Sequence, residues 1–178
     1  MLPTGSLMIE HRLIEKMISR IAEENMRIER SGNVDHDFIV DALDFMRNFA
    51  DRCHHGKEED ILFREMRKKK MPPELEATLN RLVEEHKISR GLIGTIDEAN
   101  VRYRGGEGSA KDDIVNAIER MTTLYPQHIE EEDRRFFPKA MDLFTREEKD
   151  AMIAESNEFD RKLILERYTK LYERWTTK

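Results

Sequence analysis

The chain has 178 residues, of which 38% are charged, and its formal net charge at pH 7 is −6. That length suffices for one domain with its own apolar core, and we take residues 1–178 as a single domain. The acidic balance argues against a general nucleic-acid or anionic-membrane surface. No apolar run approaches the roughly 20 residues of a membrane helix, and the N-terminal residues lack the pattern of a signal peptide. The single cysteine, Cys53, cannot form an internal disulfide. We therefore expect a cytoplasmic protein that binds neither nucleic acid nor membrane.

Apolar residues recur at helical spacing through nearly the whole sequence, which predicts an all-α protein. Gly32 is the expected left-handed cap of the first helix, and Pro72 ends the second. Pro126 is expected to kink the fourth helix or make it locally irregular. The four long helices are predicted at about Leu7–Arg30, Asp35–Lys70, Glu74–Tyr103 and Ala110–Leu143.

Short connections between long helices favour antiparallel neighbours, so we expect an up-down-up-down four-helix bundle over about residues 7–143. An additional C-terminal helical segment is predicted at about residues 145–176. It opens with a capping box, Thr145 and Glu148, and continues as a separate amphipathic piece from Glu158 to Trp175. The second helix carries a second apolar stripe, which the C-terminal helices or the partner in a homodimer would cover. That stripe comprises Ala42, Met46, Phe49 and Cys53.

Two His-x-x-x-Glu pairs, His55 with Glu59 and His128 with Glu132, each place an imidazole and a carboxylate one turn apart. Alone, such pairs are common on helix surfaces. At about 100° per residue, however, both lie on apolar helix faces. The faces contain Phe38, Leu62 and Met66 for the first pair, and Ile114, Ala117, Met121 and Leu124 for the second.

The neighbouring pair, His54 with Glu58, falls on a different face. That face also carries Asp44, Arg47, Asp51 and Glu65, so we interpret it as solvent-exposed and exclude the pair from the site.

Two further histidines, His11 and His86, also lie on apolar helix faces. Counted from the helix ends at 1.5 Å per residue, the candidates lie at about one level in the bundle. Burying such groups is costly unless they pair or bind cations, and helical bundles with sets of this kind usually hold two metal ions. A buried salt-bridge network is the alternative. Nitrogen and oxygen ligands suit iron, manganese or zinc. The predicted ligands are His11, His55, Glu59, His86, His128 and Glu132.

This ligand pattern resembles the hemerythrin-like, or HHE cation-binding, family. Its members have a His near the start of helix one, His-x-x-x-Glu on helix two, His on helix three and His-x-x-x-Glu on helix four. The resemblance spans the bundle. It implies two iron ions bridged by Glu59 and Glu132, with room for dioxygen or another small ligand. The matching stretches are Glu10-His11-Arg12, HHGKEEDILF from His54, EEHKISR from Glu84 and HIEEEDRRFFP from His128.

One position departs from the oxygen-carrying hemerythrins. These have a further histidine four residues after the helix-three ligand, where this chain has Arg90. Arginine cannot ligate, so one iron is expected to be coordinatively poorer. Arg90 either lies beside the site and pairs with a carboxylate or anion, or extends to the surface. Tyr125, one turn before His128, either donates a hydrogen bond toward the site or is a core residue with its hydroxyl satisfied.

Three functional hypotheses follow. The first is a non-enzymatic di-iron protein that binds dioxygen, nitric oxide or iron for sensing, storage or delivery. The second is a di-iron oxidoreductase acting on peroxide or nitric oxide, or an iron–sulfur cluster repair protein. Repair members of the family often carry a cysteine-bearing N-terminal segment, which these residues do not contain. The third is a metal-free helical interaction module.

Overall fold

The computed structural model describes the backbone of residues 2–176 and the side chains up to Glu166, except that of Leu165. Met1, Thr177 and Lys178 lie outside the described residues. The side chains of residues 167–175, which belong to the predicted amphipathic piece, lie outside the described side chains. The described chain is helical and contains no strand. Its α-helices are α1 (Thr4–Ser31), α2 (His36–Phe45), α3 (Arg64–Met66), α4 (Pro73–Arg104), α5 (Ala110–Glu131), α6 (Phe137–Met141) and α7 (Arg146–Thr176). Three π-helical segments are π1 (Met46–His55), π2 (Glu58–Phe63) and π3 (Glu132–Phe136).

The predicted all-α bundle is confirmed. Four long helical rods form it: α1, the second bundle helix (residues 36–66), α4, and the fourth bundle helix (residues 110–141). Gly32 ends α1 with φ 72° and donates its N–H to the carbonyl of Ile28 at 2.8 Å, and the Asp35 carboxylate caps α2.

Hydrogen-bonded pairs between neighbouring rods show that the rods run antiparallel. As the residue number rises along one rod, the number of its partner residue on the other rod falls. Pairs join α1 to the fourth bundle helix, the second bundle helix to α4, and α4 to the fourth bundle helix. These pairs are Asn25–Val115 with His11–Asp133, Arg47–Asp97 with Glu59–His86, and Arg102–Asp113 with Glu85–His128.

The second and fourth bundle helices depart from α geometry where π-helical hydrogen bonds replace α-helical ones. The N–H of Gly56 donates to the carbonyl of Asp51, and that of Phe137 to Glu132, five residues back in each case. A π turn holds more residues than an α turn, so successive side chains are rotated by less than about 100°. Pro126 lies inside α5, and the fourth bundle helix becomes irregular at Glu132 rather than at the proline.

The C-terminal segment is one continuous helix, α7, so the separate piece predicted from Glu158 is wrong. The capping box at its start is confirmed, because the Thr145 and Glu148 side chains each accept the other's backbone N–H. Helix α7 lies against the second bundle helix and covers the Cys53 end of the second apolar stripe, where Cys53 Sγ donates to Asp160 Oδ1 at 3.4 Å.

The apolar core is divided into two clusters with a polar layer between them. One cluster extends from Ile14 toward Ile28, and the other contains Leu7 and the buried Met152 of α7. Among the described residues, no helix combines the length and apolar character that a membrane crossing requires.

Candidate metal centre

Seven side chains with nitrogen or oxygen donors meet in the polar layer, and all are at most 5% exposed. Five of them are among the six predicted ligands. Two others, His54 and Glu58, are 1% and 0% exposed, so the prediction that they lie on a solvent face is wrong. The seven are His11 from α1, His54, His55 and Glu58 from the second bundle helix, His86 from α4, and His128 and Glu132 from the fourth bundle helix.

The π-helical segment π1 explains why that face turns inward. Asp44 and Arg47 are exposed, as predicted, but π1 intervenes between them and His54. Because π1 rotates the chain by less per residue than an α-helix, the face through Asp44 does not stay in phase as far as His54. As a result, the adjacent His54 and His55 both point into the bundle.

The structure places Glu59 at the rim of the layer instead of inside it. Its side chain is 27% exposed, whereas Glu58 is fully buried. Glu59 Oε1 accepts hydrogen bonds from His86 Nδ1 at 2.8 Å and from Arg90 Nη2 at 2.6 Å. Glu59 therefore contacts a candidate ligand without pointing into the layer.

The seven donors form two overlapping sets whose ligand atoms lie within 4.8 Å of one another. We call them the three-histidine set and the two-histidine set. The first contains His55, His86, His128 and Glu58. The second contains His11, His54, Glu58 and Glu132.

Both carboxylates stand between the two sets. Glu58 has one oxygen 3.3 Å from His54 Nε2 and the other 3.4 Å from His86 Nε2. Glu132 Oε2 lies 3.2 Å from His11 Nε2 and 3.3 Å from His128 Nε2. Each carboxylate thus faces one histidine of each set, which is the arrangement needed to bridge two cations.

Each of the five histidines points Nε2 into the layer and has a carboxylate behind Nδ1. An ionised carboxylate can only accept, so each Nδ1 carries a proton, and when the ring is neutral its Nε2 presents a lone pair to the layer. Such carboxylate–histidine pairs orient metal-ligating imidazoles and raise their basicity. The pairs are His11–Asp133 at 2.7 Å, His54–Glu10 at 2.9 Å, His55–Asp51 at 3.3 Å, His86–Glu59 at 2.8 Å and His128–Glu85 at 2.7 Å.

Buried atoms without a hydrogen-bond partner favour a metal site over the alternative salt-bridge network. Both oxygens of Glu58 and of Glu132 lack one, as do the Nε2 atoms of His11 and His54. Leaving buried polar atoms unsatisfied costs about 1–3 kcal/mol each, and more when they are charged. A cation in each set would satisfy these atoms together, so the residues present fit two metal ions.

Protonation balances part of the negative charge in the metal-free layer. Burial lowers the pKa of His11, but the hydrogen bond to Asp133 and the charge of Glu132 outweigh it and raise the pKa to about 9. Burial likewise lowers the pKa of His54, and the charge of Glu58 with the hydrogen bond to Glu10 raises it to about 10. Protons therefore compete with cations for the two-histidine set.

In the three-histidine set, the pKa of His55 is shifted in the opposite direction. Burial, together with the nearby charges of His86 and His54, holds the pKa of His55 well below its ordinary value. The pKa of Glu58 is also lowered, because the charge of His54 outweighs the opposing effect of burial. A neutral imidazole and an ionised carboxylate are the forms that ligate metals.

Arg90 and Tyr125 both lie beside the layer. Arg90 Nε donates to Asp51 at 2.8 Å, in addition to its bond with Glu59, so it holds the carboxylates behind His55 and His86. The Tyr125 hydroxyl is hydrogen-bonded to Ser89 Oγ at 2.7 Å, and both side chains are buried. Tyr125 and Ser89 line a small cavity next to the three-histidine set.

Sequence periodicity identified the inward position of residues on regular helices and missed His54 and Glu58. Their signal in the sequence is the doubled motif itself: His54-His55 followed by Glu58-Glu59 contains two overlapping His-x-x-x-Glu pairs. On a helix of constant α geometry the two pairs lie about 100° apart, and the apolar neighbours favour the His55 pair. The π segments bring His54 and Glu58 inward as well.

The fold and the site define the class of protein: an all-α bundle with a buried histidine and carboxylate centre between its helices. A family model for the hemerythrin HHE cation binding domain matches residues 2–140 and, in a second match, residues 77–176. The chain belongs to this family, and its buried histidine and glutamate clusters indicate a metal-binding protein. No curated protein and no solved structure matches the chain.

Proposed function

We propose that the polar layer holds two iron ions and binds dioxygen, nitric oxide or another small ligand at them, for sensing, storage or delivery. The observation that carries the proposal is the arrangement of five inward Nε2 atoms, each with a carboxylate behind Nδ1, around two buried carboxylates without hydrogen-bond partners. In this proposal Glu58 and Glu132 would serve as ligands in both sets, and Glu58 takes the place that the sequence prediction gave to Glu59.

The two sets differ in the number of ligands they offer. With both carboxylates shared, the three-histidine set supplies five protein ligands and the two-histidine set supplies four. Iron with histidine and carboxylate ligands commonly keeps open positions for dioxygen. We therefore assign the more open metal, where a small ligand would coordinate, to the two-histidine set.

Iron in such a centre supplies reversible coordination or reduction of a diatomic ligand. The chain's own residues orient the imidazoles through five carboxylates and exclude bulk water, since the layer is enclosed by apolar clusters on two sides. The only cysteine, Cys53, is bonded to Asp160 outside the layer. Binding of a small ligand at the metals is therefore the simplest function that the described residues support.

Anaerobic reconstitution with ferrous iron tests this proposal. We expect about two irons per chain and, on admission of oxygen, a charge-transfer band that disappears when oxygen is removed. Irreversible bleaching with consumption of peroxide would instead support the oxidoreductase. One bound zinc with no uptake of iron would contradict the proposed function.

A further inference from the structure

We propose that Lys57 ties the C-terminal helix α7 to the ligand His54, so that docking of α7 and retention of the metal in the two-histidine set are coupled. This inference rests on the proposed two-metal centre.

The coupling begins with a lysine buried deep beside the layer. The Lys57 side chain is 1% exposed, and its ammonium contacts two carboxylates. One is Glu10 of α1, and the other is Asp160 of α7, whose Oδ1 lies 2.9 Å from Nζ. A buried ammonium is stable only when paired and hydrogen-bonded, so both partners are required to keep Lys57 inside.

Glu10 connects that lysine to a candidate ligand. One of its oxygens contacts Lys57 Nζ, and the other accepts the Nδ1–H of His54 at 2.9 Å. The position of Glu10 thus fixes the ring of His54, as second partners of ligating histidines do. If Asp160 leaves, Lys57 loses half of its pairing and is free to move toward water, which releases Glu10 from its fixed position.

A second contact joins α7 to the same stretch of the second bundle helix. Gly56 lies between the candidate ligands His55 and Glu58, and a Cβ built on Gly56 would lie 2.8 Å from Cζ of Phe159. The absence of a side chain at Gly56 lets the Phe159 ring approach the backbone closely. Helix α7 therefore packs on residues 54–58, which supply three of the seven donors.

Coupling of this kind is reciprocal. If the docked α7 strengthens metal binding by some factor, bound metal must strengthen docking by the same factor. The C-terminal helix would thus report metal occupancy at the surface of the molecule, through a chain of four side chains: His54, Glu10, Lys57 and Asp160.

Release of iron from the reconstituted holoprotein to a ferrous chelator tests the inference. In Asp160→Asn, we expect one of the two irons to leave at least about fivefold faster than in the wild type, while the other is unaffected. Asp160→Glu, which keeps the charge at a 39% exposed position, should restore slow release.

Glu155→Gln is the matched control. Glu155 also joins α7 to the second bundle helix, through Arg64 at 2.7 Å, but this exposed pair has no contact with a candidate ligand. Its release rates should stay within about twofold of the wild type. Limited proteolysis gives a second measurement: iron should protect α7 in the wild type and in Glu155→Gln, and protect it less in Asp160→Asn.

Equal release rates in Asp160→Asn and Glu155→Gln would overturn the inference and leave the metal centre intact. A wild-type chain that takes up no pair of irons would overturn the two-metal centre, and this inference with it.

Discussion

The regular helices of the bundle and those with π segments contribute very differently to the centre. Helices α1 and α4 each supply one histidine, His11 and His86. The second and fourth bundle helices supply the remaining five donors, including both carboxylates. Glu58 is the first residue of π2 and Glu132 the first residue of π3. A regular helix turns about one residue per turn toward a given point, whereas a π turn brings more side chains to the same face.

The π segments therefore concentrate candidate ligands where the two sets share carboxylates. π-Helical segments are rare and often occur at functional sites. In this chain they explain how adjacent residues, His54 and His55, enter different sets around a common carboxylate.

The adjacent glutamates of the second bundle helix should behave very differently. Glu58→Ala removes a carboxylate that faces histidines of both sets, so bound iron should fall from about two per chain to below about one. Glu59→Ala removes the partner of His86 Nδ1 and of Arg90 but no inward carboxylate, so both irons should still bind, with affinity reduced about tenfold. Iron analysis after reconstitution measures the two variants. A larger loss of iron in Glu59→Ala than in Glu58→Ala would show that Glu59, not Glu58, is the ligand shared by both sets.

Removing one of the two adjacent histidines, His54, should affect only the two-histidine set. His54→Ala removes one of two imidazoles from the two-histidine set, so we expect loss of one iron and retention of the other. His36→Ala, which changes a histidine hydrogen-bonded to Asn100 outside the layer, is the control and should keep both irons. Two irons in His54→Ala would mean that the π-helical register does not bring His54 to a metal.

Arg90 should affect the three-histidine set from outside the layer. Arg90→Met frees the carboxylates of Asp51 and Glu59, which hold His55 and His86, and we expect metal affinity to fall about tenfold. Arg47→Met breaks an exposed ion pair with Asp97 between the same two rods and should leave the affinity unchanged. Competition with a chelator measures both affinities. Equal affinities in the two variants would show that Arg90 serves only as a surface ion pair.

The pH dependence of stability in the metal-free protein tests the charge state of the two-histidine set. The folded pKa values of about 9 for His11 and about 10 for His54 exceed the ordinary value of 6.5, so protonation of both stabilises the folded state. This contribution is complete below pH about 6.5 and is lost as the pH rises through about 9 to 10. Urea denaturation at several pH values should show a steeper loss in the wild type than in His54→Gln. Parallel curves would contradict the raised pKa of His54.

Much of this architecture follows from the sequence because regular helices obey a constant period. The buried positions of His11 and His86 could be predicted from apolar neighbours three and four residues away, and the rods from the turn residues between them. The burial of Glu58 and the partial exposure of Glu59 were not predicted because that constant period fails in this stretch. No propensity in residues 46–63 marks the change from α to π hydrogen bonding, which depends on what the two faces of the helix meet in the bundle.

The C-terminal helix shows a second limit of periodicity. The sequence predicted a cover for the second bundle helix and two helical pieces, but the contact that joins α7 to the site is an ion pair between residues 103 positions apart, Lys57 and Asp160. Pairings at such separation are set by the fold and not by local pattern. Whether a second copy of the chain adds to this cover, as the predicted homodimer would require, stays a prediction.

An anomalous-scattering map of the iron-reconstituted crystal at the iron absorption edge would test the two-metal centre most directly. We expect two peaks, one ligated by His55, His86 and His128 and the other by His11 and His54, with Glu58 and Glu132 between them. A single peak, or a peak ligated by Glu59 in place of Glu58, would contradict this arrangement.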